Sequence, residues 1–303
     1  MKVLIAEYTV FNDPNLAPEG KAMVDALQKS FEAAGCEVVF PSAGSDFNSE
    51  IARLAPECEY SIVIAPDAML SKFTHTAELV SHNLGSDSTA VAVAANKRLT
   101  SKLLAARGIA VPREVEGTFA GKRVIKPVKG EGSVNVRIAK AGELPKDDEM
   151  MVEYIEGEHY SVSLVGSRVV GEACGFYSGL PPVILTVNRQ KTVIDENGFF
   201  RYGGGETPVH PALEKEMIDT AAKTIEALGC QGYTGVDMVV SGGKIYVVDV
   251  NPRPTLSLAG IVQILEDNLA DILLKATVGL PPKEVHYNGK TAVFDADGKV
   301  TLR

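Results

Sequence analysis

Short apolar runs alternate with a helical pattern over the first 94 residues. A short apolar run is typical of a buried strand, and apolar residues at every fourth position are typical of a helix. The alternation of the two predicts a parallel sheet with helices on its faces, a Rossmann-like domain over residues 1–94. Predicted strands cover residues 2–6, 37–40 and 60–65, and after a loop of residues 7–18 the predicted helix carries Met23, Leu27 and Phe31 and ends at Gly35.

Beyond residue 94 the predicted strands are short and the connections long, which is typical of an antiparallel α+β body. Apolar stripes predict helices over residues 213–228 and 258–278, and residues 180–206 are predicted to be a loop. The fold class is therefore α/β followed by α+β. Predicted strands cover residues 123–127, 134–139, 150–155, 160–165, 168–174, 235–240 and 244–251, and the turns Asn288-Gly289 and Asp297-Gly298 predict a terminal hairpin.

The composition is that of a globular protein and excludes several classes. Of 303 residues, 45% are hydrophobic and 23% are charged, so disorder is not expected. The net charge of −9 lacks the basic footprint of a nucleic-acid binder and would be repelled by anionic membranes. The first apolar run stops at Glu7, too early for a signal peptide, and four dispersed cysteines fit a reducing compartment. We therefore expect a cytoplasmic protein with small-molecule partners and neither nucleic acid nor membrane.

Polar side chains interrupt the apolar strand of residues 244–251. Because strand side chains alternate, Asp249 and Asn251 should share one face, while Val248 and Val250 point into the core. Carboxylate and amide oxygens are hard ligands that suit Mg²⁺. The alternative is an exposed polar face on an edge hairpin.

A third carboxylate ligand depends on how the hairpin turns. A two-residue turn at Gly242-Gly243 would place Asp237, on the preceding strand, opposite Val248 and on the wrong face. A three-residue loop or a bulge would place Asp237 opposite Asp249 and complete the metal site. The sequence leaves both registers open.

A lysine and a glycine-bearing loop follow the strand of residues 123–127. Lys126 ends the strand, and Gly130, Gly132 and Ser133 follow in the loop, where an ammonium and backbone N–H groups could surround phosphates. The alternative is an ordinary hairpin turn, which also needs glycines.

Residues 153–158, Glu-Tyr-Ile-Glu-Gly-Glu, have two interpretations. They are either a simple connection between strands or a linker that holds adenine through its backbone and ribose through a carboxylate.

Taken in order, these motifs resemble the ATP-grasp superfamily over about residues 93–280. In that family two α+β subdomains clasp ATP behind a Rossmann-like domain, and a carboxylate is joined to an amine through an acyl phosphate. The resemblance implies a lid subdomain over residues 95–155 and a C-terminal subdomain with the metal site over residues 156–303. The matching motifs are Asn96-Lys97, Val111-Pro112, Lys126-Pro127, residues 130–133, Glu153-Tyr-Ile-x-Gly157, Gly235-x-Asp237 and Asp249-x-Asn251-Pro-Arg253.

The resemblance also implies a role for each matching position. The middle metal ligand, usually Glu, is Asp249 here, and the usual ribose carboxylate is replaced by His159, with Glu158 beside it as a substitute. Arg253 and Lys126 are the predicted catalytic residues. Lys97, Lys126, Gly130, Gly132 and Ser133 would contact the ATP phosphates, Glu153, Tyr154, Ile155 and Glu158 the adenosine, Asp237, Asp249 and Asn251 two Mg²⁺ (or Mn²⁺) ions, and Arg253 the acyl phosphate.

Four further stretches resemble archaeal ATP-grasp ligases of methanofuran biosynthesis that join L-glutamate to tyramine: residues 6–9, 19–23, 64–67 and 200–208. The implied substrates are the γ-carboxylate of L-glutamate and an aromatic amine. Glu7 and Glu19 could pair with an ammonium, and Arg189 or Arg201, besides Arg253, could hold the α-carboxylate. The alternative is that these are solvated surface charges. Tyr8, Phe11, Tyr177 and Tyr202 are available for an apolar wall around the amine.

Two other functions stay open at this point. One is a ligase of the same family for another amino acid and amine, and the other is a catalytically silent nucleotide-binding module. The oligomeric state is expected to be monomer or homodimer.

Overall fold

The computed structural model describes residues 1–12, 17–130, 134–167 and 180–303. The predicted strand over residues 168–174 and the predicted site residues Gly132, Ser133 and Tyr177 lie outside these ranges. The helices are α1 (Tyr8–Asn12), α2 (Ala17–Ala33), α3 (Phe47–Leu54), α4 (Asp67–Glu78), α5 (Ser88–Ala94), α6 (Lys97–Ala106), α7 (Glu214–Leu228), α8 (Ser257–Ile264) and α9 (Leu269–Thr277). The strands are β1 (Lys2–Glu7), β2 (Glu37–Val39), β3 (Tyr60–Ile64), β4 (His82–Asn83), β5 (Arg123–Pro127), β6 (Arg137–Ile138), β7 (Glu149–Glu153), β8 (Glu158–Gly166), β9 (Val183–Ile194), β10 (Phe200–Thr207), β11 (Gly232–Ser241), β12 (Lys244–Asn251), β13 (Ala292–Phe294) and β14 (Val300–Leu302).

The N-terminal sheet is parallel, with strand order β2-β1-β3-β4. Its central strands are covered on both faces, which is why their sequences are continuously apolar rather than alternating. The predicted Rossmann-like arrangement is confirmed. The predicted loop over residues 7–18 is wrong at its start, where α1 forms because the Glu7 carboxylate accepts a hydrogen bond from the Val10 N–H at 2.7 Å.

The remaining strands form two antiparallel sheets. One has the order β6-β5-β7, and the other has the order β12-β11-β8-β9-β10-β13-β14. One face of the seven-stranded sheet packs on α7 around Tyr160, Val162 and Met238, and the opposite face is directed toward the three-stranded sheet. The predicted α/β plus α+β fold class is confirmed.

Three predicted elements differ from the structure. Residues 180–206 were expected to be a loop but contain β9 and β10, because in β9 buried Leu185 and Val187 alternate with the polar residues Thr186 and Asn188. The predicted helix over residues 258–278 is interrupted between α8 and α9, where the Asn268 side chain accepts a hydrogen bond from Ala270 N–H and caps α9. The predicted strand over residues 134–139 contracts to β6.

The N-terminal sheet and the C-terminal helices share one core. Phe31 of α2 is fully buried in a cluster with Leu258 and Ile261 of α8 and Leu269 and Leu273 of α9. Burying each of these side chains contributes roughly 1.5–3 kcal/mol. The division into domains 1–94, 95–155 and 156–303 stays a prediction, although each sheet lies within one of these ranges.

The β9–β10 hairpin connects the seven-stranded sheet to the three-stranded sheet. At its tip, Ile138 N–H donates to the Gly198 carbonyl and Phe200 N–H donates to the Val136 carbonyl, both at 2.9 Å. The Phe200 ring packs with Val124 and Met150 inside the smaller sheet's core. This connection fixes the two sheets across a cleft. In the ranges the structure describes, none of the helices is long and apolar enough to cross a bilayer.

Candidate active site

A cleft with an open mouth lies between the two sheets and is lined by residues of both. It collects charged groups from β5, β11, β12 and the start of α6, together with backbone and apolar groups from β7. The predicted site residues that line it are Glu19, Lys97, Lys126, Gly130, Glu153, Tyr154, Ile155, Asp237, Asp249, Asn251 and Arg253.

A β-bulge decides the register that the sequence left open. The turn at Gly242-Gly243 has two residues, both with positive φ (55° and 78°), as a tight hairpin turn requires. Met238 pairs with Val247, but Asp237 pairs with Asp249, so Val248 is the extra residue. Asp237 and Asp249 therefore face each other across the hairpin, as the bulge alternative predicted.

The same bulge overturns the prediction for Val248. That residue was expected in the core, yet it lines the cleft, while Val247 and Val250 are the buried members of the strand. The extra residue reverses the alternation, so both Val248 and Asp249 are directed at the cleft. Without the bulge the Asp249 carboxylate would be on the α7 side of the sheet.

Asp237 is held by two amide groups. Gln190 donates to one carboxylate oxygen at 2.8 Å, and Asn251 donates to the other at 3.2 Å. Burial, together with the charge of neighbouring Asp249, raises the pKa of Asp237 to about 7. The two carboxylates repel each other, so the pair is more stable with a cation beside it.

Lys97 is the first residue of α6, whose N-terminus is capped by Asn96 through a hydrogen bond from Leu99 N–H at 3.1 Å. Its ammonium donates to the Asp249 carboxylate and lies 3.9 Å from Asp67. Burial acts to lower the pKa of Lys97, but the charges of Asp249 and Asp67 outweigh it and raise that pKa. Lys97 is therefore a permanent cation on the cleft wall.

Lys126 enters the cleft from β5. Its ammonium donates to the Val248 carbonyl at 3.1 Å, so the bulged residue also positions this lysine. Burial and the nearby charge of Lys97 lower the pKa of Lys126 to about 8. A buried ammonium of this kind is suited to an anionic ligand, because a phosphate would restore the stabilisation that burial removes.

The donor set fits a hard divalent cation. Asp237 and Asp249 bring two carboxylates to one point, and the Asn251 amide, whose N–H₂ points to Asp237, leaves its carbonyl oxygen for a ligand. The described residues hold no cluster of three or more His, Cys, Asp or Glu side chains around one metal position. Such an ion would therefore need oxygens from water or phosphate to complete its shell, as Mg²⁺ does at phosphate sites.

The opposite end of the cleft is apolar. Val124, Val136, Val152 and Phe200 line it together with Tyr154. The Glu153 carboxylate is not free for adenine, because Arg113 donates to it from its guanidinium at 2.7 Å and from its backbone N–H at 3.1 Å. A nucleotide could therefore be bound by the backbone groups of Glu153 but not by its carboxylate.

The structure separates the two candidates for the ribose contact. His159 lines the cleft, on the same face of β8 as Ser161. Glu158 lies on the other face, where its carboxylate accepts a hydrogen bond from the Tyr160 hydroxyl at 3.1 Å. The prediction that Glu158 contacts ATP is therefore not supported by the strand's alternation.

Glu7 and Glu19 occupy different environments. Glu7 is 1% exposed, and its two oxygens accept hydrogen bonds from the Thr9 hydroxyl and the Val10 N–H, both at 2.7 Å. A side chain at Gly20 would place its Cβ 2.4 Å from Glu7, so only glycine allows this approach. Glu7 caps α1 rather than contacting a substrate, which corrects the prediction, whereas Glu19 lines the cleft.

Arg189 and Arg201 do not lie in the cleft. On β9 the cleft-facing residues are Gln190 and Thr192, and on β10 they are Phe200 and Tyr202, so the residues between them point to the other face. Arg189 is half exposed beside Tyr160, and Arg201 pairs with Asp195 at 2.9 Å on the hairpin surface. The structure thus places both arginines outside the cleft, and its geometry does not support their predicted contact with a substrate.

The aromatic candidates also divide. Tyr8 stacks on Phe73 in the N-terminal core, and Phe11 packs against the same cluster. Tyr202 alone among the described candidates lines the cleft. Burial and the charges of Asp237 and Glu19 raise the pKa of Tyr202, so its hydroxyl stays protonated.

Gln190 is not among the predicted site residues, because the sequence predicts a loop over residues 180–206. The available signal was the alternation of apolar Leu185 and Val187 with polar Thr186 and Asn188. If the alternation is continued along the strand, Gln190 falls on the same face as Thr186 and Asn188, and Gln190 lines the cleft.

The ATP-grasp domain family matches residues 94–257, more than half of the chain. The chain therefore belongs to the ATP-grasp family. Among related sequences, the tyramine–L-glutamate ligase of Methanocaldococcus jannaschii is 29% identical over 90% of this chain and 88% of its own, and that of Methanocaldococcus fervens is 27% identical over 98% of each.

Solved structures agree with this assignment. A crystal structure from Archaeoglobus fulgidus assigned to the ATP-grasp superfamily superposes with a TM-score of 0.75 at 26% identity, covering 97% of this chain and 92% of that one. A D-alanine–D-alanine ligase from Bacillus anthracis, at 18% identity and a TM-score of 0.63, shares the fold over 91% of this chain and 97% of its own. The family match and the named relatives identify the chain as an ATP-grasp carboxylate–amine ligase, and these structures show that it has the fold of that family.

Proposed function

We propose that this ligase joins the γ-carboxylate of L-glutamate to the amine of tyramine, with Mg²⁺ as its metal and ADP and phosphate as by-products. The observation that carries the proposal is the convergence of the Asp237–Asp249 pair with Lys97, Lys126 and Arg253 in one cleft. Binding alone does not require three cations and a carboxylate pair together, which disfavours the silent module. The two named relatives support the substrates.

Each group has a task in this chemistry. Lys97 and Lys126 would neutralise charge that spreads over the transferred phosphoryl group, where most of the catalysis of this step occurs. Asp237, Asp249 and Asn251 would hold Mg²⁺, which supplies charge neutralisation and orientation of the phosphates. The substrate carboxylate attacks the γ-phosphoryl group directly, so the protein needs no nucleophile. Arg253 would hold the resulting acyl phosphate while the amine attacks its carbonyl carbon.

The cleft also suits the proposed amine. Its catalytic end combines the Glu19 carboxylate, which can attract an ammonium, with the ring of Tyr202 and the side chain of Leu256. The reacting amine must lose its proton before it attacks, so the Glu19 carboxylate would favour binding of the ammonium form and not the attack itself.

A cytoplasmic location, a role in methanofuran biosynthesis and a monomeric or homodimeric state remain predictions that accompany this proposal.

Incubation with ATP, Mg²⁺, L-glutamate and tyramine is expected to yield γ-glutamyltyramine, detected by mass, with one ADP per product. Phenethylamine and D-glutamate serve as matched substitutes for each substrate. If this pair gives no product while another acid and amine release ADP, the substrate assignment is wrong and the ligase chemistry stands. ATP binding without turnover on any pair would instead favour the silent module.

Gln190→Leu is expected to raise the Mg²⁺ concentration needed for half-maximal turnover by about 10- to 100-fold. The reason is that Gln190 donates to Asp237 and orients a proposed metal ligand without touching the ion. Mn²⁺ binding, followed by electron paramagnetic resonance, should weaken in parallel. Gln263→Leu, on the exposed side of α8, is the matched control and should leave both quantities unchanged. An unaltered Mg²⁺ requirement in Gln190→Leu would contradict the metal assignment.

A further inference from the structure

A buried carboxylate of the N-terminal unit lies behind the cations of the cleft. Asp67 is the first residue of α4, three residues beyond the end of β3, and its side chain is 3% exposed. One of its oxygens lies 3.9 Å from the Lys97 ammonium, and the other lies 3.8 Å from Arg253 Nε. Both cations line the cleft, whereas Asp67 lies behind them rather than on the cleft wall.

The two cations depend on Asp67 to different degrees. Lys97 has a second carboxylate partner, because its ammonium donates to Asp249. Arg253 has a longer side chain with more rotamers to lose. One terminal nitrogen of its guanidinium donates to the Pro254 carbonyl at 3.3 Å, and its Nε lies 3.8 Å from Asp67. Glu7 also attracts Arg253 electrostatically, but both Glu7 oxygens already accept hydrogen bonds within α1. Asp67 and Arg253 are both buried, so solvent and salt screen their attraction weakly.

We propose that Asp67 is a positioning residue that holds the Arg253 guanidinium, and secondarily the Lys97 ammonium, in the orientation needed at the acyl phosphate. Asp67 touches neither substrate nor nucleotide and acts only through these cations. The inference rests on the proposed function for the role of Arg253. It also gives the stretch Ile64-Ala-Pro-Asp67 a role, since the segment that follows β3 places this carboxylate behind the two cations of the cleft.

The charge of Asp67 makes the kinetic signature distinctive. An anion behind phosphate-binding cations opposes the binding of another anion, so its removal should not weaken ATP binding. Asp67→Asn is therefore expected to lower kcat about 10- to 100-fold through misplacement of Arg253, while the KM for ATP stays within about threefold of the wild-type value or falls. A general structural defect would instead raise the KM and lower the melting temperature. In an Arg253→Lys background the same substitution should lose most of its effect, because the two residues act as one unit.

The matched control is Asp46→Asn, which makes the same substitution at the N-terminus of another helix of the same unit. Asp46 caps α3 by accepting from Ser49 N–H at 2.8 Å, and asparagine retains that acceptor. This variant should leave kcat and the KM for ATP unchanged. A loss of turnover equal to that of Asp67→Asn would overturn the proposal.

The deciding measurement does not depend on turnover. The ¹⁵N relaxation of the Arg253 Nε–H group, assigned by its loss in Arg253→Lys, should report an ordered side chain in the wild type and in Asp46→Asn. In Asp67→Asn that group should become mobile on the nanosecond timescale. Unchanged Arg253 order in Asp67→Asn overturns the proposal, whichever substrates the enzyme uses. Failure of the wild type to form γ-glutamyltyramine is a separate result and bears on the substrate assignment alone.

Discussion

Asp249→Asn should reduce turnover by about a thousandfold or more while the protein remains folded. The substitution keeps the size of the side chain and removes one of the two carboxylates that face each other across the bulge. It also removes one of the two carboxylates beside Lys97, so the proposed metal site and the proposed phosphate-binding cation are altered at once. Steady-state ADP release measures the first effect, and Mn²⁺ titration followed by electron paramagnetic resonance measures the second.

The control for this variant is Asp219→Asn, on the exposed face of α7 and far from the cleft. It makes the same change of charge and should preserve turnover and Mn²⁺ binding. Circular dichroism should show the same helix content in both variants and in the wild type. Near-normal turnover in Asp249→Asn would show that this carboxylate is not a metal ligand.

Lys126→Met is expected to act in opposite directions on ATP binding and on stability. Loss of the ammonium should weaken ATP binding about 10- to 100-fold, because a buried charge-assisted contact to phosphate contributes roughly 1.5–3 kcal/mol. Yet burial lowers the pKa of Lys126 from 10.5 to about 8, so holding it charged at neutral pH costs the folded protein roughly 3 kcal/mol. Methionine removes that cost, and the free energy of unfolding without ATP should rise by roughly 1–3 kcal/mol.

The pH dependence of stability provides a second test. Between about pH 8 and pH 10.5 the unfolded chain binds this proton more strongly than the folded protein does, so the contribution of Lys126 to stability rises with pH. Below about pH 8 the cost is fully present. Denaturation at several pH values should show this rise in the wild type and its loss in Lys126→Met. Lys129→Met, an exposed neighbour in the same segment, is the control and should change neither ATP binding nor stability. An unfolding free energy that falls in Lys126→Met would contradict the assignment of a buried, destabilised ammonium.

The local pattern of apolar and polar residues was enough to predict several elements of the fold and the family from the sequence alone. The parallel N-terminal sheet followed from continuous apolar strands between helices, and α7 followed from an apolar stripe ended by Gly229. The ordered motifs around Lys97, Lys126 and Asp249 were enough to indicate the ATP-grasp family. Each of these inferences depends on residues close together in the chain, where period, strand length and turn chemistry act directly.

Only the tertiary structure decided which side chains face the cleft. One extra residue at Val248 sets whether Asp249 faces Asp237, and the sequence permits either register because the turn itself is compatible with both. Which face of each strand is directed at the cleft is likewise set by packing. On β8 that face carries His159 and not Glu158, and on β9 it carries Gln190 and not Arg189. The contacts of Asp67 with Lys97 and Arg253 join residues that are far apart in the sequence. Such contacts leave no local period in the sequence, because they arise from packing between separate elements of the fold.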